Sequence, residues 1–361
     1  MDVDNTKLNP LDSAILESSN LFEAEINQLD SGTNNIGSQI AILSGGVYNV
    51  NQVFSLREAV GRRLVELGAT NLDLVVLDSE VANSTFTSLF DAEYPERFVQ
   101  CYIAEQNMIS IAQGLCVSGK IPVAVTFGAF LIRAADQIRM SQYSAPRSNL
   151  KIIGTHCGIS IGEDGPSQMA LEDISFFRCI RGSIILYPSD STSAQKLLEL
   201  AINTYNPVTY LRITRENLPN LYNETHEFKI GGSKQIISHK LSRITIISAG
   251  ITLHQAYQAC LLLEQEEIYV DLVDLYCVKP MDVETLQRAY AKSSNILVAE
   301  DHYPEGGIYE AICSSGIAIK PTYSLAVNII PRSGTPLELM QMAQIDRDSI
   351  VEKVRAIIQT F

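Results

Sequence analysis

Glu105 opens the apolar-periodic run "AEQNMISIAQGL", and a carboxylate in that place has two uses. It can lie in solvent and favour the positive end of a helix dipole. Or it can enter the protein, where desolvation penalises the charge unless it is paired or kept neutral. A second group of polar residues follows His156 in "THCGISIGEDGPSQ", where two glycines and a proline surround Glu163 and Asp164 just before Gln168. That loop is either a plain rigid turn or part of a ligand site. His156 is either a satisfied strand-end histidine or a ligand contact. Arg57, Arg133, Arg139, Arg212 and Arg215 are candidates for anion binding, because the guanidinium fork matches phosphate and carboxylate geometry. The alternative, a solvated helix face, suits Arg139 better than Arg215. Phe127 and Phe130 surround a turn, either as core aromatics or as a stacking surface.

These residues need a frame, and the hydrophobic pattern supplies one. "LDLVVLD", "IPVAVTFG", "LKIIGTH", "SIILYPS" and "PVTYLRIT" read as strands. Between them "AEQNMISIAQGLCVSG", "AFLIRAADQIRMSQY", "MALEDISFFRCI" and "TSAQKLLELAINT" have helical spacing, as does "SLREAVGRRLVELG" at the start. Apolar strands alternating with helices predict an α/β fold with a mainly parallel sheet. Ligands of such sheets bind at the carboxyl ends of strands. Glu80, Asn83 and Ser84 follow the first strand; Phe127 and Phe130 follow the next, His156 and its loop another, and Arg215 and Glu216 the last of this half. All therefore fall on one edge. After a break at 216–233 the alternation resumes with "ITIISAG", "TLHQAYQACLLLEQ", "YVDLVDLY", "NILVAED" and "GGIYEAICSSGI", which predicts a second, smaller α/β domain.

Composition bounds the rest. The chain has 361 residues, 46% hydrophobic and 19% charged, with a net charge of -14. That is a globular composition, long enough for about two domains at roughly 150 residues each. The acidic balance disfavours nucleic acid as a partner. The seven cysteines are scattered, mostly in apolar runs, without a CxxC pair, which predicts buried reduced thiols and no metal site. The N-terminus lacks the basic start and apolar core of a signal peptide, and no apolar run is long enough to span a bilayer, so a cytoplasmic protein is expected. Residues 1–47 carry seven acids and one base; "LDSAILESSNLFEAEINQL" could form an amphipathic helix, and "SGTNNIGS" reads as linker. The expected division is an acidic tail at 1–47, a first domain at 48–220 and a second at 221–361.

"RFVQCYIAEQNMISIAQGL", "FLIRAADQIRMSQ", "GTHCGISIGEDGPSQMALEDISFFR", "YPSD", "AEDHYPEGGI" and "VNIIPRSGTPLELM" resemble transketolase, from about Val53 to the C-terminus. The resemblance implies a pyrimidine-binding domain followed by a transketolase C-terminal domain. The family's diphosphate-binding domain, marked by a GDG triplet, has no counterpart here, and the tail is too short to hold it. The chain is therefore expected to be the C-terminal subunit of a split transketolase, moving a two-carbon ketol unit between sugar phosphates. Thiamine diphosphate, with Mg2+ or Ca2+ bound by the partner, would be shared with a separate N-terminal subunit in a heterotetramer. By motif, Glu105 corresponds to the residue that shares a proton with the cofactor's aminopyrimidine. Phe127, Phe130, Gln168 and Glu80 correspond to cofactor contacts, Glu80 standing where the family commonly has Asp. Arg57, Ser84, His156 and Arg215 correspond to the sugar-phosphate grip, and Asp164 to a contact with a substrate hydroxyl. Two rival functions are transfer to another acceptor in a biosynthetic pathway and a non-catalytic partner-binding role.

Overall fold

A computed structural model describes residues 48, 49, 51–144 and 148–359. The expected acidic tail with its helix and linker lies outside the described residues.

The strands are, in the first part, β1 Val53–Ser55, β2 Leu74–Asp78, β3 Phe98–Gln100, β4 Ile121–Phe127, β5 Leu150–Thr155, β6 Ile184–Leu186, β7 Val208–Arg212 and β8 Asn217–Pro219. In the second part they are β9 Lys234–Ile237, β10 Ile244–Ser248, β11 Val270–Asp274, β12 Cys277–Lys279, β13 Asn295–Ala299 and β14 Thr322–Leu325. One sheet runs β12-β6-β7-β5-β4-β2-β3 and the other β14-β13-β10-β11-β9. All pairs in the first sheet are parallel except β12 with β6, and all in the second except β9 with β11. β1 and β8 form a separate antiparallel ribbon.

The strands read as continuous apolar runs because both faces of each sheet are covered. Along β2, Val75 and Leu77 enter one core, while Leu74 and Val76 enter another on the opposite face. In the second sheet, Ile247, Val273, Ile296 and Val298 join the same cluster as Val75 and Leu77. One apolar core thus spans both domains. The fold is mixed α/β with mainly parallel sheets, as the alternation predicts.

Two elements depart from expectation. The stretch "AFLIRAADQIRMSQY" is not one helix: Gly128–Ala134 is a 3-10 turn, followed by the α-helix Ala135–Ser144. Its spacing does not distinguish the two helix types over seven residues, and the tighter winding is what a chain leaving a buried strand end adopts in short pieces. The other is β12, which belongs by sequence to the second part but completes the first sheet. The cysteines depart partly too: Cys101, Cys116, Cys157, Cys260 and Cys277 are buried, whereas Cys179 and Cys313 are exposed.

Candidate active site at the carboxyl edge of the first sheet

The helix Glu105–Val117 begins on a residue without a side-chain cap, and its first side chain turns inward: Glu105 is 3% exposed. The solvent-facing reading of this carboxylate is thereby ruled out. Its Oε1 accepts from Arg133 Nη1 at 2.7 Å. Arg133 reaches it from the 3-10 turn after β4 and lays its guanidinium over the Phe130 ring, 4.7 Å from the centroid. The i, i+3 spacing of a 3-10 turn eclipses those two side chains.

From Phe130 the contacts run on without a gap. Phe130 stacks on Phe127 with centroids 5.2 Å apart, and Phe127 stacks on His156 at 3.8 Å. Of the two phenylalanines, Phe127 is buried and Phe130 partly open. His156 follows β5 directly and takes a left-handed backbone, φ 57°. Its Nε2 lies 3.1 Å from Arg57 Nη1, and its Nδ1 is 2.9 Å from Thr155 Oγ1. A guanidinium only donates, so Nε2 accepts and Nδ1 carries the proton. Burial first, then the charges of Arg57 and Arg215, push the imidazole down to about 3, which keeps it neutral. Arg57 also donates to the carbonyls of Ser84 (2.9 Å) and Arg215 (3.2 Å). Arg215 donates to the Ile161 carbonyl at 2.5 Å and sits 3.7 Å from Asp164. Burial and the neighbouring Arg215 hold Arg57 below its usual range.

The structure therefore joins Glu105, Phe130, Phe127, His156, Arg57, Ser84, Arg215 and Asp164 into one continuous line along the sheet edge. Ser84 enters through its carbonyl; its hydroxyl turns toward Asn83. Gln168 lies on the same loop, half-exposed, at the end of the 3-10 turn Pro166–Gln168. Glu80 stands apart. Its side chain is exposed, its backbone is left-handed at φ 66°, and its N–H donates to Gln100 Oε1. Arg139 pairs with Asp136 on an exposed helix face, as its alternative reading has it. Arg212 corrects an expectation: it is 0% exposed and bound to Asp173 at 2.8 Å, so it offers nothing to an outside anion.

Sequence reasoning missed two supports. Asp78, at the end of β2, accepts from Val81 N–H, Thr85 Oγ1 and Thr87 Oγ1 at 2.7, 2.8 and 2.8 Å, which fixes the turn that carries Glu80 and Ser84. The second is Arg133 as partner of Glu105, which the expected α-helix concealed. Among the described residues no group of three or more His, Cys, Asp or Glu side chains could hold a metal ion.

The arrangement offers a desolvated carboxylate beside a part-open aromatic ring, and at the other end two guanidinium groups held mainly by neutral acceptors. The first suits a ring that exchanges a proton; the second suits a phosphate-sized anion.

Comparison with known proteins gives the same direction. The family described as "Transketolase, pyrimidine binding domain" matches residues 52–220, and "Transketolase, C-terminal domain" matches 233–350. Human transketolase is 44% identical over 316 residues, 86% of this chain and 50% of that protein. Bovine transketolase-like protein 1 is 43% identical over 326 residues, 89% of this chain and 54% of that one. The chain thus spans about half the length of these relatives. A solved structure described as "Split gene transketolase, inactive beta4 tetramer" is 32% identical, with a TM-score of 0.75, and the match covers 84% of this chain and 98% of that one. On these matches the chain belongs to the transketolase family and carries its pyrimidine-binding and C-terminal domains.

Proposed function

We propose that this chain is the C-terminal subunit of a split transketolase and transfers a two-carbon ketol unit between sugar phosphates once joined by an N-terminal subunit. The observation that carries this reading is the unbroken line from Glu105 to Asp164, with a proton-sharing end and an anion-gripping end. In this reading residues 48–220 and 221–361 act as the two functional domains, and residues 1–47 contact the partner. The protein works in the cytoplasm; no helix among the described residues is long and apolar enough to cross a membrane.

When bound, thiamine diphosphate supplies the nucleophilic carbon for the two-carbon unit. The residues of this chain fit its pyrimidine end. Glu105 presents a desolvated carboxylate, Arg133 occupies Oε1, and Oε2 is left to share a proton with the ring. Phe130 offers a face to that ring, with Phe127 and Gln168 as further contacts. Glu80, whose exposed side chain lies off this line, is the outlying cofactor contact at the end of β2. Arg57, Ser84, His156 and Arg215 hold the sugar phosphate, and Asp164 takes a substrate hydroxyl. The Mg2+ or Ca2+ ion and the diphosphate belong to the partner.

Two further facts support a partner. Tyr102 and Ile103, 67% and 75% exposed, lie just before Glu105, where an apolar surface needs cover. A relative of the same extent as this chain is described as an inactive β4 tetramer, which fits a half-enzyme that self-associates but lacks activity alone. With the partner the expected assembly is a heterotetramer.

The test is capture of this chain's partner from the native source, then an assay of two-carbon transfer from a ketose phosphate. The expected result is thiamine-dependent transfer by the pair and none by this chain alone. In the same assay Glu105→Gln should lower kcat by about 10²–10⁴-fold with the pair still assembled. Full activity of the isolated chain would sink the split reading; unchanged kcat in Glu105→Gln would sink the role of Glu105.

A further inference from the structure

The loop from His156 to Gln168 is moulded on the second domain. Its ends are tied together by Gly158 N–H donating to the Met169 carbonyl at 2.5 Å. Within it Gly158, Gly162 and Gly165 have φ of 93°, 76° and 81°, and each is pressed by a residue from beyond 300. A Cβ on Gly158 would come within 1.9 Å of Asp301 Oδ2, one on Gly162 within 3.1 Å of the Gly334 carbonyl, and one on Gly165 within 2.8 Å of Ser333 Oγ. The closest of these neighbours also makes the one directed bond: Asp301 Oδ1 accepts from Ile159 N–H at 2.8 Å. Asp301 is itself fixed, since its carbonyl accepts from Arg212 Nη2 at 3.0 Å, and next to it Tyr303 N–H donates to the Leu171 carbonyl at 2.9 Å. Its carboxylate is fully buried and Oδ2 has no hydrogen-bond partner. A buried carboxylate kept for bulk alone would cost more than an apolar side chain of similar size. What it does here is hold the backbone three residues after His156.

We propose that Asp301 is a positioning residue: reaching across from the second domain, it clamps Gly158–Ile159 and so sets the loop that places His156 and Asp164 beside Arg57 and Arg215. The consequence for ligand binding rests on the anion-gripping reading given under the proposed function. The clamp itself does not.

Backbone hydrogen exchange and binding of inorganic phosphate, both on the full chain, test this. Asp301→Ala should speed exchange of segment 157–169 about tenfold, as loss of a charge-assisted hydrogen bond does. It should also weaken phosphate binding several-fold, while strands Leu150–Thr155 and Val208–Arg212 keep their protection. Asp301→Asn, which retains the Oδ1 acceptor, should recover most of both. Unchanged exchange in 157–169 would overturn the proposal; so would loosening spread evenly over those strands with no recovery in Asp301→Asn, since that is mere undocking. If Asp301→Ala does not fold, Gly158→Ala pushes on the same contact from the loop side and must speed exchange of the same segment; no effect there also overturns it. Arg57→Met separates the two ideas. If that variant binds phosphate as well as the wild type, the anion grip is wrong, and the exchange data alone decide the clamp.

Discussion

Arg57 and Arg212 both carry a guanidinium group out of bulk water, and each shares its surroundings with a buried histidine. Arg212 has Asp173 at 2.8 Å, and Asp173 in turn accepts from Tyr210 and faces His302. Arg57 has the Ser84 and Arg215 carbonyls and the neutral ring of His156; among the described residues no carboxylate is within ion-pair distance of it, and Glu216 acts on it only through space. The same residue types thus do opposite work. Asp173 neutralises Arg212, and the pair is mortar between the domains; Arg57 keeps an uncompensated charge at the sheet edge, where an anion can supply the missing partner. Arginines three apart in one strand and loop, 212 and 215, fall on the two sides of this divide.

Asp173→Ala should give the largest change. It leaves Arg212 buried without its partner, and stability should fall by about 3–5 kcal/mol. A urea melt measures this; a loss below about 1 kcal/mol would mean that the two arginines are not so different. Arg57→Met tests the other side. Stability should stay within about 1 kcal/mol of wild type, whereas affinity for inorganic phosphate should drop by about 10–100-fold, the worth of charge-assisted hydrogen bonds. Loss of stability without loss of binding, read by the same melt and by calorimetry, would make Arg57 a second Arg212.

The smallest effect sharpens the role of His156. The free imidazole is pushed down to about 3 by burial and the two arginines. A bound dianion offsets the arginine charges, so the histidine pKa rises and binding takes up a proton. Affinity for sulfate, whose own charge is fixed in this range, should therefore increase, not decrease, as pH falls from 7. The direction follows because a ligand that raises a pKa binds more tightly as pH falls toward that raised value. A flat profile, or one that persists in His156→Gln, would remove His156 from the anion site.

Much of this site could be read from the chain because strand ends announce themselves. Runs such as "LVVLD" and "LKIIGT" stop at polar residues, and the parallel arrangement puts those stops on one edge. Glu105 was visible as an acid at the head of an apolar helix, though only the structure shows it turned inward. The long contacts could not be read. Nothing in the spacing of "YLRITRE" says that Arg212 meets Asp173 and Arg215 meets Ile161, because both depend on elements distant in sequence. Asp301 lay hidden for the same reason: its partner Ile159 is 142 residues away. Glu80 shows the converse, a residue well placed by sequence whose exposed side chain the fold leaves outside the line of contacts.

The β12 strand bears on where such a protein can be cut. Cys277–Lys279 covers the edge of Ile184–Leu186, whose three residues are all buried. A fragment ending near residue 220 would bare that edge as a flat apolar template for other chains, with aggregation as the expected fate. Cutting ahead of residue 52 touches none of the pairings in the two large sheets. Division between the two halves of this chain therefore carries a penalty that a cut ahead of residue 52 does not.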